Sequence, residues 1–405
     1  MLINLTLKSL LNRKGSIVLS IMAMTVSFFV LLSVEHIRHQ TKESFANTVS
    51  GVDLIVGART GSVNLLLYSV FKVGNPTNNM SWQSYQNITA NPKVKWAIPM
   101  ALGDSHKGYR VLGTTKQYFE HFSYGNKKHL TFEQGMMFTR DLDVVLGAHV
   151  AKKLGYKLAD QLVLAHGIAK TSFSLHDDKP FKVVGILAPT GTPVDNTLHV
   201  SLQGIEAIHY SDKFSQQSGA DMVRQPQSIT ACMLGLKSRM TTFRLQREIN
   251  QYAPEALLAI LPGVALSELW QMMAVFESTL VLVSILVLIS ACLGVCAMLL
   301  SSIRERHKEI QLLRGIGGSP SFLFCLITLE TLFILLVSIV LSEALLVISI
   351  LLAQDYVATT FGMHMTTNVM TIEHGYLVLF LLSTSVILAF ISSICSVISS
   401  PNKNQ

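Results

Sequence analysis

Four stretches of this 405-residue chain are apolar for long enough to cross a bilayer, and nothing else in it constrains the fold as strongly. A membrane helix needs about 20 mostly apolar residues to cross about 30 Å of hydrocarbon. Gly15–Val34 is interrupted only by Ser and Thr, and Ser278–Leu300, Phe322–Leu352 and Tyr376–Ser399 follow. Only 14% of the residues are charged and 50% are hydrophobic. Soluble domains carry about 25% charged residues, so an ordinary soluble protein is excluded. Lys8, Arg13 and Lys14 precede the first run, as they would in a secretory signal. The apolar part of a signal is only about 7–15 residues long, however. This run is longer and leads into Glu35-His36-Ile37-Arg38, so it reads as a retained helix.

Orientation follows from the short loops. Arg304, Arg306, Lys308 and Arg314 follow the second run, whereas the loop 353–375 holds only Asp355 and Glu373. Cationic loops stay on the cytoplasmic side. The expected order is therefore a cytoplasmic segment 1–14, helix one at 15–34 and an external region at 35–277. Helix two at 278–300, a cytoplasmic segment 301–320 and helix three at 321–352 come next. A short external loop at 353–375, helix four at 376–399 and a cytoplasmic tail at 400–405 complete it. The chain would sit in a bacterial inner membrane with both termini cytoplasmic and the large domain periplasmic.

The external region alternates strand and helix patterns. Val52–Val56, Val94–Met100, Asp143–Leu146, Gln161–Ala165, Phe181–Leu187 and Leu198–Leu202 read as strands. Ala148–Leu154 and Thr242–Tyr252 read as helices, so the fold class is an α-helical membrane protein with a large α+β extracytoplasmic domain. Thr60–Ser81 reads as a long loop or hook. Glu35–Val49 and Leu266–Glu277 contain no breaker and would extend helices one and two as stalks. Cys232 is the external region's single cysteine, so no disulfide forms within it. The net charge of +7 is spread out, without a basic run interleaved with aromatics, so no nucleic-acid partner is implied.

Between the second and third runs, Ser301–Pro320 reads SSIRERHKEIQLLRGIGGSP. Ile303, Ile310, Leu313 and Ile316 fall near one helical face and the charged residues mostly on the others. Gly315, Gly317-Gly318 and Pro320 stop the helix. Taken alone, the pattern fits an interfacial connector as well as a docking helix. The chain contains no G-x-x-x-x-G-K-[ST] loop to cradle phosphates, so ATP chemistry would need another chain.

Intramembrane carboxylates are costly and mark functional candidates, here Glu330 and Glu343, with Glu277 nearer a membrane face. His36 and His39 share a helix face and are the weak metal candidates, without a ligand-spaced cluster. No catalytic set is assigned, and the chain by itself is not expected to be an enzyme.

Several motifs resemble the FtsX/MacB-type, mechanotransmitting (type VII) ABC transporter permeases, with the topology of the LolC/LolE branch. Ile303-Arg304-Glu305-Arg306, Glu309-Ile310 and Leu312-Leu313-Arg314-Gly315-Ile316-Gly317 resemble the segment after their second membrane helix. Val144-Val145-Leu146-Gly147, Val150-Ala151, Leu154-Gly155 and Asp160 resemble their external core. So do Phe181–Leu187, Pro189-Thr190-Gly191 and Asp195. Ala159 stands where the family usually has Gly before the Asp. The resemblance implies that Arg304, Glu309, Ile310, Leu313, Arg314 and Gly315 contact a separate ABC ATPase dimer, which binds the ATP and Mg. It also implies a second permease, identical or paralogous, and work on a lipid, lipoprotein or exported ligand. An FtsX-like regulator of a periplasmic enzyme is the alternative. A zinc-linked system is another, since Asp53–Ala58 and Ser69-Val70-Phe71 resemble a branch in which a His commonly stands near Lys72.

Overall fold

The computed structural model describes residues 14–46, 48, 50–166, 179–209, 226–305, 319–361, 375–376, 378–380, 382–383, 386–387 and 390. The chain begins with helix α1 (Lys14–Ala46), then β1 (Leu54–Ala58) and α2 (Ser62–Leu66), which widens into a π turn over Leu67–Phe71. Thus the expected loop Thr60–Ser81 is partly helical. β2 (Met80–Ser81), α3 (Trp82–Thr89), β3 (Val94–His106) and β4 (Tyr109–Thr114) follow. Next come α4 (Gln117–His121), the short pair β5 (Ser123–Tyr124) and β6 (Lys128–His129), β7 (Phe132–Gly135) and β8 (Asp143–Leu146). Then come α5 (Ala148–Leu154), β9 (Gln161–Leu162), β10 (Ala165–His166), β11 (Phe181–Leu187), β12 (Thr197–Ser201) and α6 (Leu202–His209). β13 (Ser228–Ile229), β14 (Ala231–Leu236), α7 (Thr242–Asn250), β15 (Leu257–Ile260), α8 (Pro262–Glu305) and α9 (Pro320–Phe361) complete the described elements.

Two units result. One is α/β, from Thr41–Met273 and Asp355–His364; the other is helical, from Met1–Gln40, Ala274–Gln354 and Met365–Gln405.

The α/β unit is organised by an 11-stranded mixed sheet ordered β15-β1-β14-β3-β4-β12-β8-β11-β7, with β10 on β3 and β9 on β11. β3 belongs to both halves. Its first part pairs with β14, from Leu236↔Val94 to Ala231↔Met100. Its second part pairs with β4, with a register shift between Leu102 and Ser105. Such an irregularity bends and twists a strand, which lets one long strand serve two sheet regions. β8 and β11 are parallel, joined by a crossover through α5, as parallel pairing requires. β8 is buried along its whole length, the mark of a strand covered on both faces.

The helices close the sheet through narrow apolar stripes. On α7, Leu245 and Ile249 lie one turn apart and are buried, while Arg244, Arg247 and Glu248 occupy other positions. Burying each such side chain stabilises the fold by about 1.5–3 kcal/mol. Ser81 caps α3 by accepting a hydrogen bond from the Ser84 N–H at 3.2 Å.

In the helical unit, Met24, Phe28, Leu31 and Leu32 of α1 pack with Ile334, Leu335, Ile339, Leu346 and Ile350 of α9. Spacings of three, four and seven put each set on one helix face. Ser338 and Ser342 are fully buried in this seam, where small side chains let helix backbones approach. Three helices are long and apolar enough to cross a membrane among the described residues, at Ile17–Glu43, Pro262–Ser290 and Thr328–Gln354. The Pro262–Ser290 stretch has none of its most apolar window buried, against 39% in α9. Of the fourth run, residues 376, 378–380, 382–383, 386–387 and 390 are described, and all are helical.

Candidate functional site

The helical unit joins its first two membrane helices through one cation. Arg38 lies one turn beyond Glu35 on α1 and faces Glu277 on α8. Arg38 Nη2 donates to Glu35 Oε1 at 2.7 Å and Nε donates to Oε2 at 3.1 Å, a two-point fork. Nη1 donates to Glu277 Oε1 at 2.7 Å. The three side chains are 23–37% exposed, so each ion pair contributes at most about 1 kcal/mol. Their main effect is geometric, because a planar guanidinium with two anchors fixes the register of two helices.

Beside this clasp lies a cavity of about 200 Å³ with apolar walls from Leu31, Val34, Leu280, Ile285 and Leu288; Glu35 and Arg38 also line it.

The other sequence candidates do not join this site. Glu330 is only 4% exposed and Glu343 is half-buried. They are separated by about 20 Å along α9 at 1.5 Å per residue, so they do not act as a pair. His36 is buried and His39 half-buried on α1. Among the described residues no group of three or more His, Cys, Asp or Glu could hold a metal ion. Arg304 lies in the last turn of α8. Glu309, Ile310, Leu313, Arg314 and Gly315 lie outside the described residues.

The motif residues of the α/β unit turn out to be structural. The Asp195 carboxylate accepts hydrogen bonds from the N–H groups of Thr190 (2.9 Å) and Gly191 (2.8 Å) and from Thr190 Oγ1 (2.8 Å). This ties the Pro189–Asp195 loop shut. Gly147 packs so closely beneath it that a Cβ would lie 2.3 Å from the Val194 carbonyl. Ala159 has φ +73°, in the left-handed region that glycine adopts without strain. Asp160 follows it in the same turn and accepts from the Lys157 N–H at 2.7 Å.

Two basic side chains in the same unit, the half-buried Lys72 and the buried His199, are pushed toward their neutral forms. Lys72 also has positive φ, at 59°, and its Nζ donates to the Ser69 carbonyl at 2.5 Å. Burial, and secondarily Arg110, push its pKa down to about 7. His199 on β12 is fully buried against Tyr118 and Phe119, with ring centroids 5.2 and 5.9 Å away. Neither of its ring nitrogens makes a hydrogen bond. Burial lowers its pKa to about 3, helped by Lys72.

Sequence reasoning placed Glu277 near a membrane face but missed Arg38 as its partner. The available signal was an arginine just past the first run and a carboxylate just before the second.

Residues 15–252 match the model of the MacB-like periplasmic core domain, and residues 281–404 match the FtsX-like permease C-terminal domain. The chain is 23% identical over 252 residues to the lipoprotein-releasing system transmembrane protein LolE of Haemophilus influenzae. That alignment covers 60% of this chain and 57% of the relative, so the chain spans little more than half of that relative's length. Among solved structures, the periplasmic region of MacB from Actinobacillus actinomycetemcomitans aligns at TM-score 0.35 and 11% identity, over 55% of this chain and 94% of that one. The extracellular domain of the noncanonic ABC-type transporter YknZ from Gram-positive bacteria aligns at 0.31 and 12%, over 52% and 98%.

Proposed function

This chain belongs to the ABC transporter permeases of FtsX and MacB type, and we propose that it transmits the motion of a separate ATPase to a periplasmic domain. The supporting observation is α8. It runs unbroken through 44 residues from Pro262 to Glu305, about 66 Å at 1.5 Å per residue. A continuous helix resists compression, so displacement at Arg304 is delivered to the residues near Pro262. Arg38 ties this rod to α1, so the two move together. The 42-residue α9 packs on α1 and steadies the bundle.

The apolar face of α8 that stays uncovered among the described residues is suited to lipid and to a second permease, the same chain or a paralogue. ATP and Mg are handled by the ATPase dimer. The apolar slot beside a charged clasp favours extraction of a lipid or lipoprotein over gating of a soluble enzyme, since an acyl chain fills the slot and Arg38 meets the polar end. The α/β unit is then the periplasmic part and Ser301–Pro320 the cytoplasmic coupling segment.

Copurification tests the reading. The full chain, in mild detergent, should retain an ATPase bearing a phosphate-binding loop. Ile310→Asp combined with Leu313→Asp should release it while the chain stays in the membrane fraction. Retention of the ATPase by the double variant would reject the docking role of these two residues.

A further inference from the structure

One edge of the α/β unit gathers more positive charge than the transmission role uses. A cavity of about 440 Å³ is lined by Lys95 and Trp96 of β3, Lys127 and His129 of the β5–β6 pair, and Lys237 and Arg239 after β14. Among the described residues, the one carboxylate in its wall is Asp53. That carboxylate is already engaged. Asp53 Oδ2 accepts from the Leu236 N–H at 2.7 Å, and Oδ1 lies 3.9 Å from Arg239 Nε. It therefore offsets at most one of four permanent cations. Lys95, Lys127 and Lys237 have no ion-pair or hydrogen-bond partner for their ammonium groups among the described residues.

The wall behind these charges is rigid. The Trp96 ring stacks on His121 with centroids 5.3 Å apart and planes at 11°. The ring also lies close against the Gly235 backbone, where a Cβ would meet Trp96 Cε2 at 2.1 Å. The hairpin carrying Lys127 is held by Ser123, whose Oγ donates to the Ser50 carbonyl at 2.7 Å while its own carbonyl accepts from the Ser50 N–H at 2.9 Å.

We infer that this pocket binds a phosphate-bearing ligand of head-group size. Convergent ammonium and guanidinium groups with one engaged counter-charge leave a surplus that a multivalent anion neutralises. The volume exceeds what a lone small ion needs and suits a phosphate carried on a small polar body. A soluble phosphate ester and a phospholipid head group share that chemistry. The inference is independent of the transport reading, because it depends on the pocket alone.

Titration calorimetry on the full chain, held in nanodiscs of phosphatidylcholine, tests it with two probes. Inorganic pyrophosphate represents the soluble source, and monomeric dihexanoyl phosphatidylglycerol the lipid source. Saturable binding of at least one probe, weakening as salt rises, is expected. The variant Lys95→Gln, Lys127→Gln, Lys237→Gln should weaken it about tenfold or more. The control Lys152→Gln, Lys153→Gln, Lys157→Gln, which removes three exposed lysines at and just beyond α5, should leave it unchanged. Tighter binding of pyrophosphate assigns a soluble ligand, and tighter binding of the lipid assigns a head group. Absence of saturable binding to both probes, or equal loss in both triple variants, overturns the site.

Discussion

His199 should make the α/β unit acid-labile in a defined window. Its imidazole titrates near 6.5 in an unfolded chain and is lowered to about 3 in the fold, chiefly by burial and then by the Lys72 ammonium. Between those values the unfolded chain binds a proton that the native state refuses. Stability is therefore complete above pH 6.5 and falls as pH drops toward 3. Each pH unit well below 6.5 costs about 1.4 kcal/mol; since the unfolded imidazole is half protonated at pH 6.5, going from there to pH 5 removes about 1.6 kcal/mol, or about 16-fold in the unfolding equilibrium. The perturbation to make is His199→Gln, which keeps a polar side chain but abolishes titration. Its absolute stability will shift through packing, so the informative quantity is the pH slope. Hydrogen exchange of the β8 and β12 amides in the full chain, corrected for intrinsic rates, reads that slope locally. Wild type should lose about 1.6 kcal/mol more protection than the variant between pH 6.5 and 5. His106 is also lowered by burial, and its share cancels in the comparison. Parallel slopes in the two proteins would refute the burial argument.

Two further outcomes follow from local geometry. Ala159→Gly should raise stability by about 1 kcal/mol, because Ala159 sits at φ +73° where an L side chain is strained, and a lowered melting temperature would reject that strain. A double-mutant cycle on Arg38→Ala and Glu277→Ala, read by thermal unfolding of the full chain, should give a coupling of about 0.5–1 kcal/mol, as suits partly exposed ions, and a coupling of zero would remove the clasp.

Much of the α/β unit was legible residue by residue. Asp143–Leu146, Phe181–Leu187 and Ala148–Leu154 form with the ends their patterns predict, because alternation and helical periodicity are local properties. Thr60–Ser81 misled because Gly61, Gly74 and Pro76 within it read as loop punctuation, while Leu65, Leu66, Tyr68 and Phe71 bury as a helical insert. The motif match was informative for a reason sequence could not supply. Gly147, Thr190 and Asp195 hold one loop together, and the departure at Ala159 leaves an alanine in a glycine conformation.

The sequence by itself determined the membrane class and the family, since apolar length and short motifs are written in consecutive residues. Only the tertiary structure decided the sites. Arg38 meets Glu277 across 239 positions, and the basic pocket draws on residues from Asp53 to Arg239. His199 looks like any strand histidine until Tyr118 and Phe119 close over it. The physical reason is the same in each case. Charge, burial and the hydrogen bond act over a few ångströms of space, and only the folded sheet and paired helices bring those residues within that range.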